Sequence, residues 1–320
     1  MESWKLKPHR NLRRRTTALA LLTTLLFGST PIVAEPSWTV GELTVTPRPG
    51  PVLWKVSRGA SVVWIIGTLP VMPKGQAWNS ARLERVIDGA NVVLIRPRAT
   101  LDFFTVIGIL THLNLPHDRT LDQELSAELA ARFARVRALV GQNAARYAHL
   151  KPVWAGLRLY LDYDAAAKMT RDEPEATVIR LAHRHHVAVH PIATYRGKPV
   201  VKNLANLTDA QSRSCLADVV RDVEFASANA APAAEAWAHG DLKTVRAHFA
   251  EPAFLLCLEQ SPSFVALANQ NVDDTVKAID AALAHPGKSV AVFSLDDLLQ
   301  EGGALATLRT QGATVTAPES

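Results

Sequence analysis

Four histidines, His183, His185, His186 and His190, form the densest group of imidazoles in the chain, and imidazole is the commonest metal ligand near neutral pH. On a helix His183 and His186 share a face, whereas His185 points elsewhere and His190 follows an intervening strand. The competing reading is a solvated helix end, where cations suit the dipole. Late in the chain Ser294 precedes Asp296 and Asp297, and earlier Ser214 adjoins Cys215. Each serine raises a nucleophile reading, but neither sits in a Gly-x-Ser-x-Gly elbow. Arg132, Arg135, Arg137 and Arg146 alternate with apolar residues around a helix, the pattern of a solvated face. Cys215 and Cys257 are the only cysteines, and their spacing is not that of a zinc site. Either one disulfide closes a long helical loop, or both are buried thiols. Among the tryptophans, Trp54, Trp64, Trp154 and Trp237 read as packing residues, while Trp78, in the loop after Pro70, is placed to line a pocket.

The elements that must position these groups are those of an α/β fold. Val52 to Val56 and Ser61 to Gly67 read as strands around a turn at Arg58-Gly59-Ala60. Asn79 to Gly89 is helical in spacing, with Ser80 as its N-cap, and Asn91 to Ile95 is an apolar run suited to a strand covered on both faces. Leu121 to Met169 is helical with a break at Lys151-Pro152, and Pro174 to His186 is a further helix. Short strands follow at Val187 to Val189 and Pro191-Ile192. Thr208 to Ala250 is alanine-rich and helical in period, with Thr208-Asp209 as its start signal. The chain closes with a helix over Val272 to Leu283, a strand over Ser289 to Phe293, a helix over Ala304 to Arg309 and a strand over Ala313 to Val315. A βα opening and a βαβ close around a helical middle imply a mixed central sheet formed from both chain ends with a long helical middle segment. The division expected is 1–34 as leader, 35–51 as lead-in and 52–317 as one domain.

The charge is distributed unevenly. The formal net charge is +5 and the pI about 9.3, values that invite a nucleic-acid or acidic-membrane partner. Six basic residues (Lys5, Lys7, Arg10, Arg13, Arg14, Arg15) against Glu2 lie within the first 34, so the remaining 286 carry 29 of each sign. That balance argues against a nucleic-acid partner. The basic run, the apolar segment Thr16 to Phe27 and the small-residue site Ile32-Val33-Ala34 follow the order of a secretory signal peptide cleaved after Ala34. If uncleaved, the segment is the chain's only membrane attachment. The expectation is export, to a bacterial periplasm.

On this frame the chain resembles the TraB/GumN family, related to the Tiki metalloproteases. The resemblance is carried by Val52-Leu53-Trp54-Lys55-Val56 and Val63-Trp64-Ile65-Ile66-Gly67-Thr68-Leu69, by Leu150-Lys151-Pro152-Val153-Trp154, and by Ala236-Trp237-Ala238-His239-Gly240-Asp241-Leu242. Val290-Ala291-Val292, Gly303-Ala304-Leu305 and Leu308-Arg309-Thr310-Gln311-Gly312 extend it to nearly all of residues 52–317. It implies a site: active members carry Gly-Thr-x-His after the second strand, a Glu ending the third, and Gly-x-x-His after the late strand. These gather around a divalent metal that activates water for peptide hydrolysis, a task that needs lone-pair donors and negative charge.

Position by position, this chain departs from that pattern. Gly67 and Thr68 are kept, but the His position is Pro70, the Glu position is Arg96, an acid two residues later is Arg98, and the late motif reads Ser294-Leu295-Asp296-Asp297, with Asp297 matching the histidine. The family's Leu-Glu-Thr after the middle strand is Ile192-Ala193-Thr194. A guanidinium about 4 Å from a unit positive charge is repelled by roughly 4 kcal/mol at an effective dielectric of 20, and a divalent ion by about twice that; Arg96 cannot shed its proton. The expectation is a non-catalytic member with no metal or other cofactor, in which Arg96 pairs with Asp296 or Asp297. Its cleft, bounded by Pro70, Trp78, Arg96, Arg98 and Asp297, would bind a peptide, an envelope component or a partner protein. Two alternatives stand beside it: a metal-dependent hydrolase using Asp296, Asp297 and His112 or His117, and a structural envelope protein with no ligand.

Overall fold

The computed structural model describes residues 50–110, 112–299 and 303–317; the leader expected over 1–34 and nearly all of the 35–51 lead-in lie outside them. The hairpin β1 (Leu53–Arg58) and β2 (Ser61–Thr68) turns on Gly59, whose φ of +57° suits a residue without a side chain. The sheet adds β3 (Val93–Ile95), β4 (Val189–Pro191), β5 (Gly287–Ser294) and β6 (Thr314–Thr316), in the order β6-β1-β2-β5-β3-β4. β2, β5, β3 and β4 run parallel, and β1 is antiparallel to both of its neighbours, β2 and β6. The four parallel strands therefore present their carboxyl ends at one edge. Every residue of β3 is buried, as its apolar run requires of a strand covered on both faces.

Helices fill the rest. α1 (Ala81–Ile87) joins β2 to β3, and the middle contains α2 (Phe103–Leu110), α3 (Pro152–Ala166), α4 (Glu173–Arg184), α5 (Lys198–Ala205), α6 (Asp209–His239) and α7 (Pro262–Leu283). α8 (Leu295–Leu299) follows β5 directly. The fold is thus the mixed α/β architecture expected, with strands from both chain ends and a helical middle. The local signals explain the boundaries. Pro152 opens α3, where a missing N–H costs nothing, and Val153 N–H donates to the Ser212 hydroxyl at 3.0 Å. Thr208 and Gln211 form a reciprocal capping box at the start of α6.

The expected helix over Thr208 to Ala250 is in fact two. Gly240 adopts φ +77°, and a Cβ there would stand 2.8 Å from the Gly50 carbonyl oxygen. Only glycine fits, so α6 stops at His239 and Asp241 caps a new helix over Leu242–Ala247, accepting the Thr244 N–H at 2.9 Å. The strand expected over Val187 to Val189 is displaced to Val189–Pro191. The chain must first leave α4 through His186 at φ +57° and bury Val187. Two short pairings, Met72–Pro73 with Met169–Thr170 and Arg98–Thr100 with Thr194–Arg196, are too brief to leave a period in the sequence.

A second core lies between α3 and α6, built on Phe133, Tyr147, Leu159 and Leu216. Cys215 and Cys257 form a disulfide inside it, tying α6 to the helix Phe254–Glu259. Asp162, only 6% exposed, accepts from Arg146 at 2.6 and 2.7 Å and from the Tyr147 hydroxyl at 2.6 Å. Arg132 pairs with Glu224 at 2.7 Å and Arg137 stacks over Phe133, so the arginines expected on a solvated face are partly spent on internal contacts.

Two outcomes are expected. Reduction of Cys215–Cys257, which closes a 42-residue separation, lowers unfolding free energy by about 4 kcal/mol on the chain-entropy estimate, read as a shift in urea midpoint with and without dithiothreitol. Burial alone would raise the Asp162 carboxyl, but hydrogen bonds from Arg146 and Tyr147 hold it below the usual carboxylate range. Its stabilisation is therefore complete above the unfolded pKa and lost as pH falls through the lower folded one. Asp162→Asn should cost about 3 kcal/mol at neutral pH, with the deficit shrinking in urea titrations carried out below about pH 3.

Candidate functional site

The carboxyl edge of the parallel strands is where an open α/β sheet places a ligand. β2 reaches it at Gly67 and Thr68, opposite Phe293 and Ser294 of β5. A Cβ on Gly67 would approach Leu295 and Leu298 side-chain carbons to 2.7 and 2.8 Å, so the bare backbone lets α8 pack onto the strand end. The Gly67 carbonyl accepts the Trp237 indole N–H at 2.7 Å, and the Thr68 hydroxyl donates to the Phe293 carbonyl at 3.1 Å. Both residues are consumed in joining β2, β5 and α6.

Arg96 leaves the end of β3 and meets α4. Its Nε donates to Glu175 Oε2 at 2.9 Å, its backbone N–H reaches the same oxygen at 3.2 Å, and its Nη2 donates to the Arg171 carbonyl at 3.1 Å. Asp172 lies 3.6 Å from Arg96 Nη2, and Arg98 Nη2 lies 3.4 Å from Glu175 Oε1. The expected pairing of Arg96 with Asp296 or Asp297 is therefore corrected: among the described residues its carboxylates are Glu175 and Asp172. The physical reason is that α4 begins beside the end of β3 and brings its acidic first turn, which the helix dipole favours, onto the guanidinium.

Asp296 and Asp297 stand on another wall of the same cleft. The Ser294 hydroxyl donates to Asp297 Oδ2 at 2.8 Å and accepts the Asp297 N–H at 3.3 Å, which makes Ser294 the local cap of α8. Asp296 has a buried Oδ1 with no hydrogen-bond partner among the described residues. Burial first, then the neighbouring charges of Asp297 and Glu251, push its carboxyl up to about 7.

The cleft encloses about 870 Å³, and its lining includes Arg96, Arg98, Ala99, Ser294, Asp296 and Asp297. Two residues expected in it stand outside its lining. Pro70 lines a separate cavity of about 180 Å³, and Phe249 and Glu251 line both. Trp78 packs edge-to-face on Trp237, with ring centroids 5.2 Å apart, because the indole that seals Gly67 needs an aromatic cover. His112 and His117 are exposed and do not line the cleft. His185 is held between Glu84 and Asp88, each at 3.2 Å, while His183, His186 and His190 are exposed. Ser214 is exposed beside a cysteine already in a disulfide.

The donor set does not fit a divalent metal. At the three positions that the resemblance singled out, Pro70 offers no side-chain donor atom, Arg96 offers a fixed positive charge, and Asp297 is engaged by Ser294. Glu175, the remaining acid nearby, is already neutralised by two guanidinium groups. No group of three or more His, Cys, Asp or Glu side chains placed to hold a metal occurs among the described residues.

Comparison with known proteins agrees with this frame. The TraB/PrgY/gumN family model matches residues 52–317, and the chain belongs to that family. No curated protein and no solved structure matches it. Sequence reasoning missed Glu175, although an acid in the first turn of a predicted helix, after a strand ending in arginine, was an available signal. It also missed Ala99, which lies in a strand too short to recognise.

Glu175→Ala should strand two cleft guanidinium groups and cost about 2 kcal/mol of stability, whereas Asp297→Ala costs less, both read by chemical denaturation at pH 7. For Asp296 the sign is the reverse of Asp162: a raised folded pKa makes the carboxyl a destabilising group as pH rises from the unfolded value through about 7. Wild type should lose stability from pH 5 to pH 8 relative to Asp296→Asn. Equal slopes for the two proteins would contradict the placement of Asp296.

Proposed function

We propose that this protein is an exported, non-catalytic member of its family that binds an extended peptide segment in the cleft at the carboxyl edge of the sheet. One observation carries the reading. In the parallel pairing of Arg98–Thr100 with Thr194–Arg196, Arg98 N–H donates to the Ala193 carbonyl at 3.0 Å and the Thr100 carbonyl accepts the Gly197 N–H at 2.9 Å. Bonded residues alternate along a parallel ladder, so Ala99 between them directs its own N–H and carbonyl away from the partner strand. Ala99 lines the cleft. A backbone donor and acceptor are thus offered to an added strand, the recognition mode that supplies affinity without dependence on sequence.

The cleft walls add the selectivity. Arg98, whose side chain is 55% exposed, presents guanidinium donors on one wall and Asp297 a carboxylate on the other, which suits a segment with polar groups of both kinds rather than a polyanion. Nothing in this reading requires a metal or other cofactor. The partner would be a peptide, or an exposed segment of an envelope protein, met in the periplasm.

The test is binding of a fluorescent pool of extended peptides of mixed charge to the purified protein. Ala99→Pro deletes the outward N–H while leaving the ladder bonds of Arg98 and Thr100 in place, and Arg98→Gln removes one guanidinium from the cleft while leaving Glu175 paired with Arg96. Each should weaken binding about tenfold or more, equivalent to about 1.4 kcal/mol, with thermal stability little changed. Binding insensitive to both variants would overturn the cleft assignment. Stoichiometric metal together with peptide cleavage lost in Asp297→Ala would overturn the non-catalytic reading.

A further inference from the structure

The second feature of the surface lies one residue beyond the cleft-lining strand. Leu101 to Leu110 reads Leu-Asp-Phe-Phe-Thr-Val-Ile-Gly-Ile-Leu, and α2 within it has no buried residue. Phe103 is 71% exposed and Phe104 81%, and Leu101, Val106, Ile107 and Leu110 are each more than 40% exposed. A contiguous apolar patch of this kind marks an interaction surface, whereas scattered exposed leucines do not. The stretch carries one charge, Asp102, and that carboxylate is spent capping α2, accepting the Thr105 N–H at 2.9 Å and its hydroxyl at 2.7 Å.

Cations stand beside this helix. α2 packs on α5, and the Leu101 side chain approaches the backbone at Gly197 so closely that a Cβ there would meet it at 2.9 Å. Arg196, Lys198 and Lys202 sit at and just after that contact, all exposed and none with an ion pair among the described residues. Lys198 also acts on Asp102, helping to hold its carboxyl low after the larger contribution of Thr105. The surface therefore combines exposed aromatic and aliphatic side chains with the positive charges of Arg196, Lys198 and Lys202.

We infer that α2 and the start of α5 form a peripheral membrane-docking surface, with Phe103 and Phe104 entering the interface of an anionic phospholipid bilayer and Lys198 and Lys202 meeting its headgroups. The eight residues of α2 span about 12 Å, far short of the hydrocarbon core, so the helix lies in the interface rather than across it. No helix among the described residues is long and apolar enough to cross a membrane. The rim argues against a second copy as the occupant: a two-fold contact through the phenylalanines would bring the same lysines of both chains toward each other. This inference is independent of what the cleft binds.

The N-terminal apolar segment of the full chain could itself hold the protein on vesicles, so the readout must be local. A nitroxide attached at Phe104→Cys in the full chain reports whether this position enters lipid, through its accessibility to oxygen against a water-soluble nickel chelate. With vesicles of mixed phosphatidylglycerol and phosphatidylcholine, the oxygen-to-nickel ratio should rise at least threefold. A label at Phe225→Cys, on α6, should change little. Pure phosphatidylcholine should give a much smaller change at position 104. Lys198→Ala/Lys202→Ala in the labelled protein should weaken vesicle binding through this site roughly 30-fold, taking about 1 kcal/mol per lysine. A label that stays water-accessible on vesicles would overturn the proposal, as would equal insertion into neutral vesicles. Concentration-dependent spin–spin broadening without lipid would also overturn it, in favour of self-association.

Discussion

β2 and β5 lie side by side over eight matched residue pairs, from Ser61 with Gly287 to Thr68 with Ser294. Thr68 and Phe293, joined by a hydrogen bond, are 225 residues apart in the chain. Closing so large a loop is entropically costly, though the cost grows only slowly with length, and burial of two strands that are apolar on both faces offsets it. Gly67 is the tight point of this pairing: without a side chain it admits Leu295 and Leu298, and its carbonyl is sealed by Trp237. The sheet, the turn into α8 and the long helix α6 all meet there. Gly67-Thr68 and Trp237 with the Gly240-Asp241 turn are thus two halves of one structural joint.

The changed positions have a coherent electrostatic result. An arginine at the end of β3 would be costly in a half-buried cleft without a partner, and Glu175 supplies one, receiving Arg96 through both side chain and backbone and Arg98 through its other oxygen. On the other wall Asp296 holds its proton toward neutral pH because it is buried and lies beside the charges of Asp297 and Glu251. The cleft is thus divided into a neutralised cationic wall and an acidic wall under strain. That division is a property of this chain's residues and not of the fold.

Much of this was legible in the sequence. The apolar run around Val93 dictated a covered strand, Pro152 and Thr208 marked helix starts, and the order of elements required the two chain ends to share a sheet. Arg96, Arg98, Asp296 and Asp297 could be placed at one edge because strand ends are where the pattern stops. The partner of Arg96 could not, since Glu175 lies 79 residues away and placing Asp296 and Asp297 at the same edge carried no information about which helix overhangs β3. Gly240 divides a helix that the alanine-rich period alone would continue, because the close approach of Gly50 is a tertiary event. α2 escaped for the opposite reason: a segment apolar on every face has no period to detect.

The order of strands carries a consequence for how the molecule comes into being. β5 leaves the ribosome after the hairpin, β3 and the helical middle, yet it lies between β2 and β3. Until it arrives, the strands that will flank it expose open edges that have no other partner in the sheet. A nascent chain of this topology cannot complete its fold from the amino end onward; the hairpin and the helical middle can only wait. Those two edges are therefore where the incomplete sheet is open to pairing with another chain.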